Sequence, residues 1–546
     1  MARVQHHCPT CNKPATLAGE MKIGKLSIRR YECGHNETVL GVAPQDIDTL
    51  DVTSLDGKRP FKYQLEGGQF LERANGRALI ADEMALGKTV QAEIFLKAHP
   101  ECLPALIIVK SGLRVQWSKE SVRWGDFMPQ IIDDTKTPLL KGMDMYIASL
   151  DSTWRIGYRA PNKEEKKQGI VEPVKCGETL EEQMIRCKVK TIVIDECQLI
   201  KNGNSKRTNA VRKLCSHVEH VIALSGTPIK NNAAEYFPIL NILRPDKFPS
   251  ERNFLYQWCD SYFDGYKTKT GGLKNPKHFL DYTKDFIIRR ERKDVLPDLP
   301  SIFRQFSFCD LGDIVEKEYQ KTLREFNDFY DDMPNMTVQE SQGGILAFLS
   351  RMRHLTGIAK IDPTCEFVEE FVMSTDRKLM IFVHHKDVGQ TMKIKLDKMA
   401  KEWPAEWGKE ILEITSDMDS YQRDEAITKF SGPDHRIMIG STLASGEGLN
   451  LQFCADMVMM ERQWNPANEE QAEARFPRPG QTADKINATY FVAVGTVDEF
   501  FSELVEKKRE IVTETLAGRA SKWDQSSLIT ELSRVLREKG GQKWGW

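Results

Sequence analysis

Two short segments of this chain combine the residue types that bind a nucleoside triphosphate and its metal ion. The first follows the apolar residues Ala78 to Ile80 and reads ADEMALGKT over positions 81–89. In such a loop glycine lets the backbone approach a phosphate, lysine meets the β- and γ-phosphates, and the threonine hydroxyl holds Mg²⁺. The pattern predicts a nucleotide-binding loop formed by Ala85, Leu86, Gly87, Lys88, Thr89 and Val90.

The second segment is an apolar strand, 191–194, that ends in the carboxylates Asp195 and Glu196. Asp195 is expected to hold the Mg²⁺ together with Thr89, and Glu196 is expected to orient an attacking water. A Gly-Lys-Thr tripeptide alone occurs by chance. A strand–loop–helix context, followed by a strand that ends in Asp-Glu, favours an NTP hydrolase.

These two segments belong to an ordered series of motifs that runs through most of the chain. The series is PFKYQLE at 60–66, ADEMALGKT at 81–89, DECQLIKN at 195–202, LSGTPIKNN at 224–232, FIIRRERKDVLPDLP at 286–300, KLMIFVHHKDV at 378–388, STLASGEGLNLQ at 441–452 and QWNPANEEQAEARFPRPGQT at 463–482. It closely resembles the Snf-type DNA translocases of helicase superfamily two, over about residues 58–510. Motifs in the right order are far more specific than any single match.

The resemblance implies further parts of the nucleotide site and names its cofactors, ATP and Mg²⁺. Arg475 and Arg478 resemble the finger pair that completes the site when the two domains close, and Gln64 matches the position that reads the adenine edge. Lys88, Asp195, Glu196 and the two arginines are therefore the expected catalytic residues. Surface cations are the commoner fate of arginine, but the setting QAEARFPRPGQ at 471–481 argues against that alternative.

The chain departs from the family pattern at three places. Ala85 stands where these motors usually have glycine, which reduces the backbone freedom of the loop. Pro477 and Pro479 replace a usual histidine and an aliphatic residue, and they stiffen the finger segment. Cys197 and Gln198 follow the carboxylate pair where Gly-His or Ala-His is usual. No charged catalytic group is lost, so we expect an active enzyme.

Double-stranded or branched DNA is the partner that the resemblance implies. Gripping DNA requires amides, hydroxyls and a few cations along the phosphate track, and these carry little sequence information. The expected contacts are Lys110, Ser111, Lys201, Asn202, Ser441, Thr442 and Trp464, with Ser225, Gly226 and Thr227 as the coupling element. For Trp464, an aromatic side chain packed into the interdomain wall is a nearly equal alternative.

The order of apolar strands and helical patterns predicts an α/β protein with two tandem RecA-like, doubly wound domains. The first domain is expected at 51–245, with strands at 77–81, 105–109, 145–149, 191–195 and 220–224. The second is expected at 361–515, with strands at 378–383, 411–415, 436–440, 457–460 and 488–494. Residues 246–360 resemble the helical protrusions of Snf-type motors. Residues 516–546 form a polar helical tail that could pack on the motor or bind a partner.

The first 50 residues are predicted to form a small zinc ribbon. Cys8 and Cys11 have the spacing of a metal knuckle, and Cys33 and His35 follow a stretch of alternating polar and apolar residues. The second knuckle is shorter than usual, so His6 or His7 is an alternative fourth ligand. A segment this small cannot build a core alone, which favours metal over the alternative of a flexible tail with incidental cysteines.

Composition favours a protein of a reducing, intracellular compartment. The chain has no apolar run of the roughly 20 residues that a membrane span needs, and its N-terminus has no secretory stretch. Its 12 cysteines are irregularly spaced, as expected for reduced thiols. The net charge is −2, so contact with nucleic acid must come from local patches. The expected location is cytoplasmic in a prokaryotic or phage-infected cell, and nuclear in a eukaryote.

The function expected from the resemblance is an ATP-driven translocase on double-stranded DNA. Segments 353–360 and 378–386 resemble the compact fork-remodelling, strand-annealing branch more than nucleosome remodellers. Two alternatives stay open: a strand-separating helicase or RNA-dependent ATPase of the same superfamily, and a non-catalytic DNA-binding scaffold. The retained catalytic residues argue against the scaffold. The LysAsn pair at 201–202 and the TrpAsnPro block at 464–466 favour the Snf type over the helicase.

Overall fold

The structure is a computed structural model of the 546-residue chain. It describes residues 6–7, 14–15, 17–23, 26–31, 36–40, 47, 50–168, 171–228, 233–263, 268–404, 410–442, 449–463, 466–503 and 505–506. Two α/β units, each built on one parallel sheet, account for most of these residues. This confirms the predicted fold class at the level of two parallel-sheet domains.

The first unit contains a parallel sheet of seven strands. In spatial order the strands are Ile287–Ile288, Arg77–Ile80, His220–Leu224, Thr191–Ile194, Ala105–Val109, Met145–Ser149 and Pro129–Ile131. The central strands are almost wholly buried because helices cover both faces of the sheet. The five strands predicted for this unit are all present, while the two edge strands were not predicted.

The second unit contains a parallel sheet of six strands. In spatial order they are Ser301–Cys309, Lys485–Ala493, Asp456–Met459, Leu379–Val383, Ile437–Ser441 and Leu412–Ile414. Again the five predicted strands are present, within three residues of the expected bounds. The sixth, Ser301–Cys309, lies at the edge and was not predicted.

Helices connect the strands and cover the sheets. In the first unit they are Lys62–Arg73, Lys88–Ala98, Arg114–Glu120, Lys163–Lys167, Leu180–Arg186, Lys206–Cys215, Phe237–Leu243, Glu251–Trp258, Pro276–Thr283 and Arg292–Val295. In the second they are Asp313–Asp332, Val338–Ala359, Ile361–Ser374, Lys386–Met399, Ser420–Ser431 and Pro466–Glu473. Two small antiparallel pairs, Tyr158–Arg159 with Val174–Lys175 and Cys259–Phe263 with Thr268–Leu273, lie outside the main sheets.

The segment 246–360 contains more than helical protrusions, because it contributes one strand to each sheet. Ile287 and Ile288 pair with the first sheet, and Ser301–Cys309 pairs with the second. The long helices Asp313–Asp332 and Val338–Ala359 share a core with residues that follow the last strand of the second sheet. The chain therefore passes from one unit to the other between Ile288 and Ser301.

The N-terminal region is described only as short strands. His6–His7 pairs with Pro14–Ala15, and the strands Leu17–Ile23, Leu26–Tyr31 and Asn36–Leu40 form an antiparallel sheet. The predicted zinc ligands Cys8, Cys11, Cys33 and His35 lie outside the described residues. Within the described ranges, every cysteine is a free thiol and no helix is long and apolar enough to cross a membrane.

Candidate nucleotide-binding site

A cavity of about 560 Å³ lies between the two units. From the first unit it is lined by Gln64, Ala85, Gly87, Lys88, Thr89, Val90, Asp195 and Glu196, among others. From the second unit it is lined by Asn450, Gln452, Arg475, Arg478, Pro479 and Gly480. The structure therefore brings together every predicted nucleotide-site residue except Leu86, which is fully buried beneath the loop.

The loop between the strand Arg77–Ile80 and the helix Lys88–Ala98 has an unusual backbone. Gly87, the residue before the helix, has a φ of +65°. A Cβ atom at Gly87 would lie 2.3 Å from Nε2 of Gln64, so that amide would have to move, and the positive φ would strain any larger residue. Ala85 also lies in the left-handed region, with a φ of +70°. The alanine that departs from the family pattern thus occupies a conformation that glycine adopts far more readily.

Gln64, which is expected to read the adenine edge, contacts the predicted phosphate loop. Its Oε1 accepts a hydrogen bond from the backbone N–H of Phe61 at 2.9 Å, and its Nε2 lies 3.4 Å from the carbonyl oxygen of Leu86. Leu86 thus contributes a backbone contact rather than a side chain that faces the cavity. The amide of Gln64 is 6% exposed and is positioned by both contacts at the rim of the loop.

Lys88 projects into a strongly charged environment. Its Nζ donates to the carbonyl oxygens of Asp82 and Glu83, at 3.0 and 3.3 Å. Burial lowers the pKa of Lys88, while the neighbouring carboxylates of Glu196, Asp82 and Asp195 act in the opposite direction. A nucleotide phosphate in this cavity would supply further negative charge to this lysine.

The two carboxylates differ in their surroundings although they are adjacent in the chain. Burial and the charge of Glu196 raise the pKa of Asp195 to about 6. Burial also acts to raise the pKa of Glu196, but a hydrogen bond from Gln198 and the charge of Lys88 bring it below its usual value. Asp195 and the hydroxyl of Thr89 both line the cavity, and they are the hard oxygen ligands that Mg²⁺ prefers. The residues present therefore fit a magnesium ion.

A chain of hydrogen bonds links Glu196 to the predicted coupling element. Nε2 of Gln198 donates to Glu196, and Oε1 of Gln198 accepts from the hydroxyl of Ser225 at 2.6 Å. The same hydroxyl accepts from the backbone N–H of Thr227 at 3.1 Å. Gln198, noted in the sequence as a departure from the family pattern, therefore connects the carboxylate of Glu196 to Ser225.

Arg475 and Arg478 reach the cavity from the second unit and are half-buried there. Burial lowers the pKa of both guanidinium groups, and the proximity of Arg475 lowers that of Arg478 further. Arg478 donates to the side chain of Asn450 and, at 3.3 Å, to the carbonyl oxygen of Ala474. Together with Lys88, they make the cavity suitable for a polyanion such as a triphosphate.

Two arginines to which sequence analysis gave no role, Arg290 and Arg292, bind the acidic residues that precede the phosphate loop. Arg290 donates two hydrogen bonds to the fully buried Asp82, at 2.6 and 3.1 Å, and one to Gln91 at 2.8 Å. Arg292 binds Glu83 through its backbone N–H at 2.7 Å and its Nε at 2.8 Å. In the sequence, this network could have been indicated only by the presence of the acidic dipeptide Asp82-Glu83 before the loop and of the arginine-rich segment that contains Arg290 and Arg292.

The predicted DNA contacts of the first unit lie beyond the carboxyl ends of its strands, where parallel sheets bind ligands. Lys110 and Ser111 directly follow the strand Ala105–Val109. Lys201 forms an ion pair with Glu235 at 2.6 Å. The side-chain oxygen of Asn202 accepts from the backbone N–H of Asn204 at 3.1 Å.

The predicted contacts of the second unit are only partly described. Ser441 is the last residue of the strand Ile437–Ser441, at the carboxyl edge of the sheet. Thr442 is 1% exposed, and its hydroxyl donates to the carbonyl oxygen of Val383 at 3.1 Å. Trp464 lies outside the described residues.

Comparison with known families and proteins identifies the family of the chain. Residues 63–360 match the SNF2-related domain, and residues 359–480 match the helicase conserved C-terminal domain. The human DNA annealing helicase and endonuclease ZRANB3 is 26% identical over 465 residues, which cover 84% of this chain and 40% of that protein. The SWI/SNF-related matrix-associated actin-dependent regulator of chromatin subfamily A-like protein 1 homolog of Caenorhabditis elegans is 27% identical over 477 residues, covering 86% and 64% of the two chains.

The solved structure titled Sulfolobus solfataricus SWI2/SNF2 ATPase core in complex with dsDNA aligns with 92% of this chain and 99% of its own, at 21% identity and a TM-score of 0.36. The chain spans about 40% of the length of its human relative ZRANB3. The match to the SNF2-related domain covers more than half of the 546 residues. The chain therefore belongs to the SNF2 family, as its motif series predicted.

Proposed function

We propose that this chain is a DNA-dependent ATPase that moves along double-stranded DNA and acts on forks or branched DNA. One observation carries the proposal: Arg475 and Arg478 of the second unit line the same cavity as Lys88 and Glu196 of the first. A site divided between two units is complete only when they are close together. Hydrolysis in such a site alternates with opening and closing, which is what stepwise movement along a polymer requires.

Each residue of the proposed site has a distinct task. Lys88 neutralises the β- and γ-phosphates, Glu196 orients the attacking water, and the two arginines stabilise the charge that develops on the transferred phosphoryl group. Thr89 and Asp195 would hold Mg²⁺, which supplies further charge neutralisation when bound. The Gln198–Ser225 hydrogen bond would pass a change at Glu196 to the coupling element.

The DNA track in this proposal runs past the carboxyl edges of both sheets. Lys110, Ser111, Lys201, Asn202, Ser441, Thr442 and Trp464 remain the proposed contacts. Because Lys201 is paired with Glu235 and the hydroxyl of Thr442 is bonded to Val383, each would exchange a protein partner for a phosphate when DNA binds. The similarity to the human DNA annealing helicase and endonuclease ZRANB3 supports forks or branched duplexes as the substrate.

A zinc ribbon at the N-terminus belongs to the same proposal. It rests on the sequence spacing of Cys8 and Cys11 and on Cys33 and His35, all of which lie outside the described residues. Elemental analysis of protein purified without chelators should find one zinc per chain, and a much lower content would contradict the ribbon. The helical protrusions remain proposed by resemblance to Snf-type motors, and the polar tail 516–546 is proposed to pack on the motor or to bind a partner.

The decisive experiment measures ATP turnover by the full chain with duplex, forked, four-way-junction and single-stranded DNA and with RNA. We expect strong stimulation by duplex and branched DNA that falls steeply with salt, because phosphate contacts release counterions. Displacement of a triplex-forming third strand should report translocation. Efficient unwinding of a long duplex, or stimulation by RNA instead of duplex DNA, would replace the proposal with the helicase alternative. Absence of turnover would replace it with the scaffold.

A further inference from the structure

The indole of Trp117 touches the carboxylate that is proposed to anchor magnesium. Nε1 of Trp117 donates to Oδ2 of Asp195 at 2.8 Å. The other oxygen of Asp195, Oδ1, accepts from the backbone N–H of Glu196 at 2.9 Å. Each carboxylate oxygen is therefore oriented by one donor and retains a lone pair for a further partner.

The chemistry of indole suits this position. Its N–H is a donor without a charge and without an acceptor atom, so it can orient a carboxylate without competing for the metal. A lysine or arginine at this place would instead neutralise the carboxylate. Trp117 is 2% exposed and packs in one core with Leu113, Phe127 and Ile147, so its ring is fixed.

The helix that carries Trp117 is tied to parts of the molecule on both sides. Arg114 donates to the carbonyl oxygen of Ile132 at 2.6 Å, within the first unit. Lys119 forms an ion pair with Asp424 of the second unit at 2.6 Å. The helix begins at Arg114, three residues after the proposed DNA contact Ser111. A displacement of the segment that contains Ile132, or of the second unit at Asp424, would therefore move the helix that carries Trp117.

We propose that Trp117 is a positioning residue for the magnesium anchor, which holds Asp195 in its metal-binding orientation and links that orientation to the helix Arg114–Glu120. This inference rests on the proposed function, because it assumes that the cavity binds a magnesium–nucleotide complex. Hydrogen-bond partners of metal-binding carboxylates commonly contribute 10- to 100-fold to metal affinity or activity.

The test compares Trp117→Phe with Trp124→Phe. Both variants keep an aromatic ring and lose an indole N–H, but Trp124 donates to Glu120 at 2.9 Å rather than to Asp195. Calorimetry gives the affinity for ADP in Mg²⁺ and in EDTA, and the ratio of the two is the magnesium-dependent gain. We expect Trp117→Phe to reduce this gain about 10-fold. Trp124→Phe should leave the ratio unchanged, whatever it does to the ADP affinity itself.

Further outcomes separate this inference from the function on which it rests. If the wild-type protein shows no magnesium-dependent gain, the proposed nucleotide site is wrong. If the wild type shows it and Trp117→Phe retains it, or loses affinity equally in Mg²⁺ and EDTA, the positioning role is wrong. Asp195→Asn should abolish the gain, and adding Trp117→Phe to it should remove nothing more.

A check on folding completes the design. Thermal melting verifies that each variant unfolds cooperatively. If Trp117→Phe does not, Trp117→His keeps a ring N–H and should retain more of the magnesium-dependent gain than Trp117→Ala. Equal loss in the histidine and alanine variants would overturn the role of the hydrogen bond.

Discussion

The two α/β units contribute to one cleft in different ways. In the first unit, Arg290 and Arg292 hold the acidic residues Asp82 and Glu83 directly before the phosphate loop. The second unit contributes two half-buried arginines, Arg475 and Arg478. The carboxylates that support the charge of these arginines, Glu196 and Asp195 for Arg475 and Glu120 for Arg478, belong to the first unit. The acidic residues before the phosphate loop are thus paired with arginines of their own unit, whereas the charges of Arg475 and Arg478 are supported by carboxylates of the other unit.

This difference suggests how a nucleotide controls the distance between the units. Removing a guanidinium group from water is costly unless an anion is nearby. In the proposed cycle, closure brings Arg475 and Arg478 close to the carboxylates of the first unit, and a bound triphosphate would add further negative charge beside both guanidinium groups. Release of phosphate would remove part of that charge. On this proposal the first unit would bind the nucleotide, and the position of the second unit would respond to it.

The largest expected effects come from the first unit. Lys88→Ala and Glu196→Gln should both abolish turnover, by different routes. The first variant loses the cation that meets the phosphates. The second loses water orientation alone, so it should still bind ATP without hydrolysing it. Parallel measurement of turnover and of ATP binding by calorimetry tests both, and near-wild-type turnover in either variant would contradict the assigned site.

The arginines of the second unit should show the opposite division between binding and rate. Arg475→Ala and Arg478→Ala should each lower kcat on the order of 10³ or more, with a much smaller loss of ATP affinity, because a finger acts on charge that develops during transfer. Arg351→Ala is a suitable control, since Arg351 pairs with Glu318 and Glu325 on an outer helix. A variant that weakened ATP binding without lowering kcat would assign that arginine to a structural or DNA-facing role.

The central strands and the position of the predicted phosphate loop could be read from the sequence because their patterns are local. Strands buried on both faces read as continuous apolar runs, and the phosphate loop has a fixed spacing of glycine, lysine and threonine. The missed strands lack such a pattern. Pro129–Ile131 and Ile287–Ile288 are too short to show a period, and Ser301–Cys309 is a largely exposed edge strand that includes polar Arg304 and Gln305.

The contacts that hold the site together could not be predicted in the same way. Trp117 and Asp195 are 78 positions apart, and Arg290 and Asp82 are 208 apart. Neither pair leaves a period or a spacing in the sequence, since the fold alone makes them neighbours. Ala85 is the opposite case, because the sequence alone identified it as a residue that stands where glycine is usual. The structure adds the reason: its φ is +70°, a conformation that favours glycine.

Removal of the Arg290 side chain should test the internal support of the first unit. Asp82 is fully buried, so Arg290→Ala leaves an uncompensated carboxylate and should lower the free energy of unfolding by about 3–5 kcal/mol. Arg292→Ala on the same segment breaks a more exposed pair and should cost about 1 kcal/mol or less. Urea unfolding monitored by circular dichroism measures both. Similar small losses in the two variants would show that the loop is not held in this way.

The smallest expected effect concerns the backbone of the loop itself. A non-glycine residue in the left-handed region carries a steric cost of about 1–2 kcal/mol in the folded state. Glycine removes this cost, but part of the gain in stability is lost because glycine gives the unfolded chain more conformational freedom. Ala85→Gly should therefore stabilise the first unit by up to about 1 kcal/mol in urea unfolding. Ala98→Gly, at the end of the helix that follows the loop, is the control and should be destabilising by about 1 kcal/mol. If both substitutions destabilise the protein equally, contacts of the Ala85 methyl group offset the strain of its backbone. The phosphate loop of the first unit would then be less strained, and the contrast between the two units in how they build the cleft would be smaller.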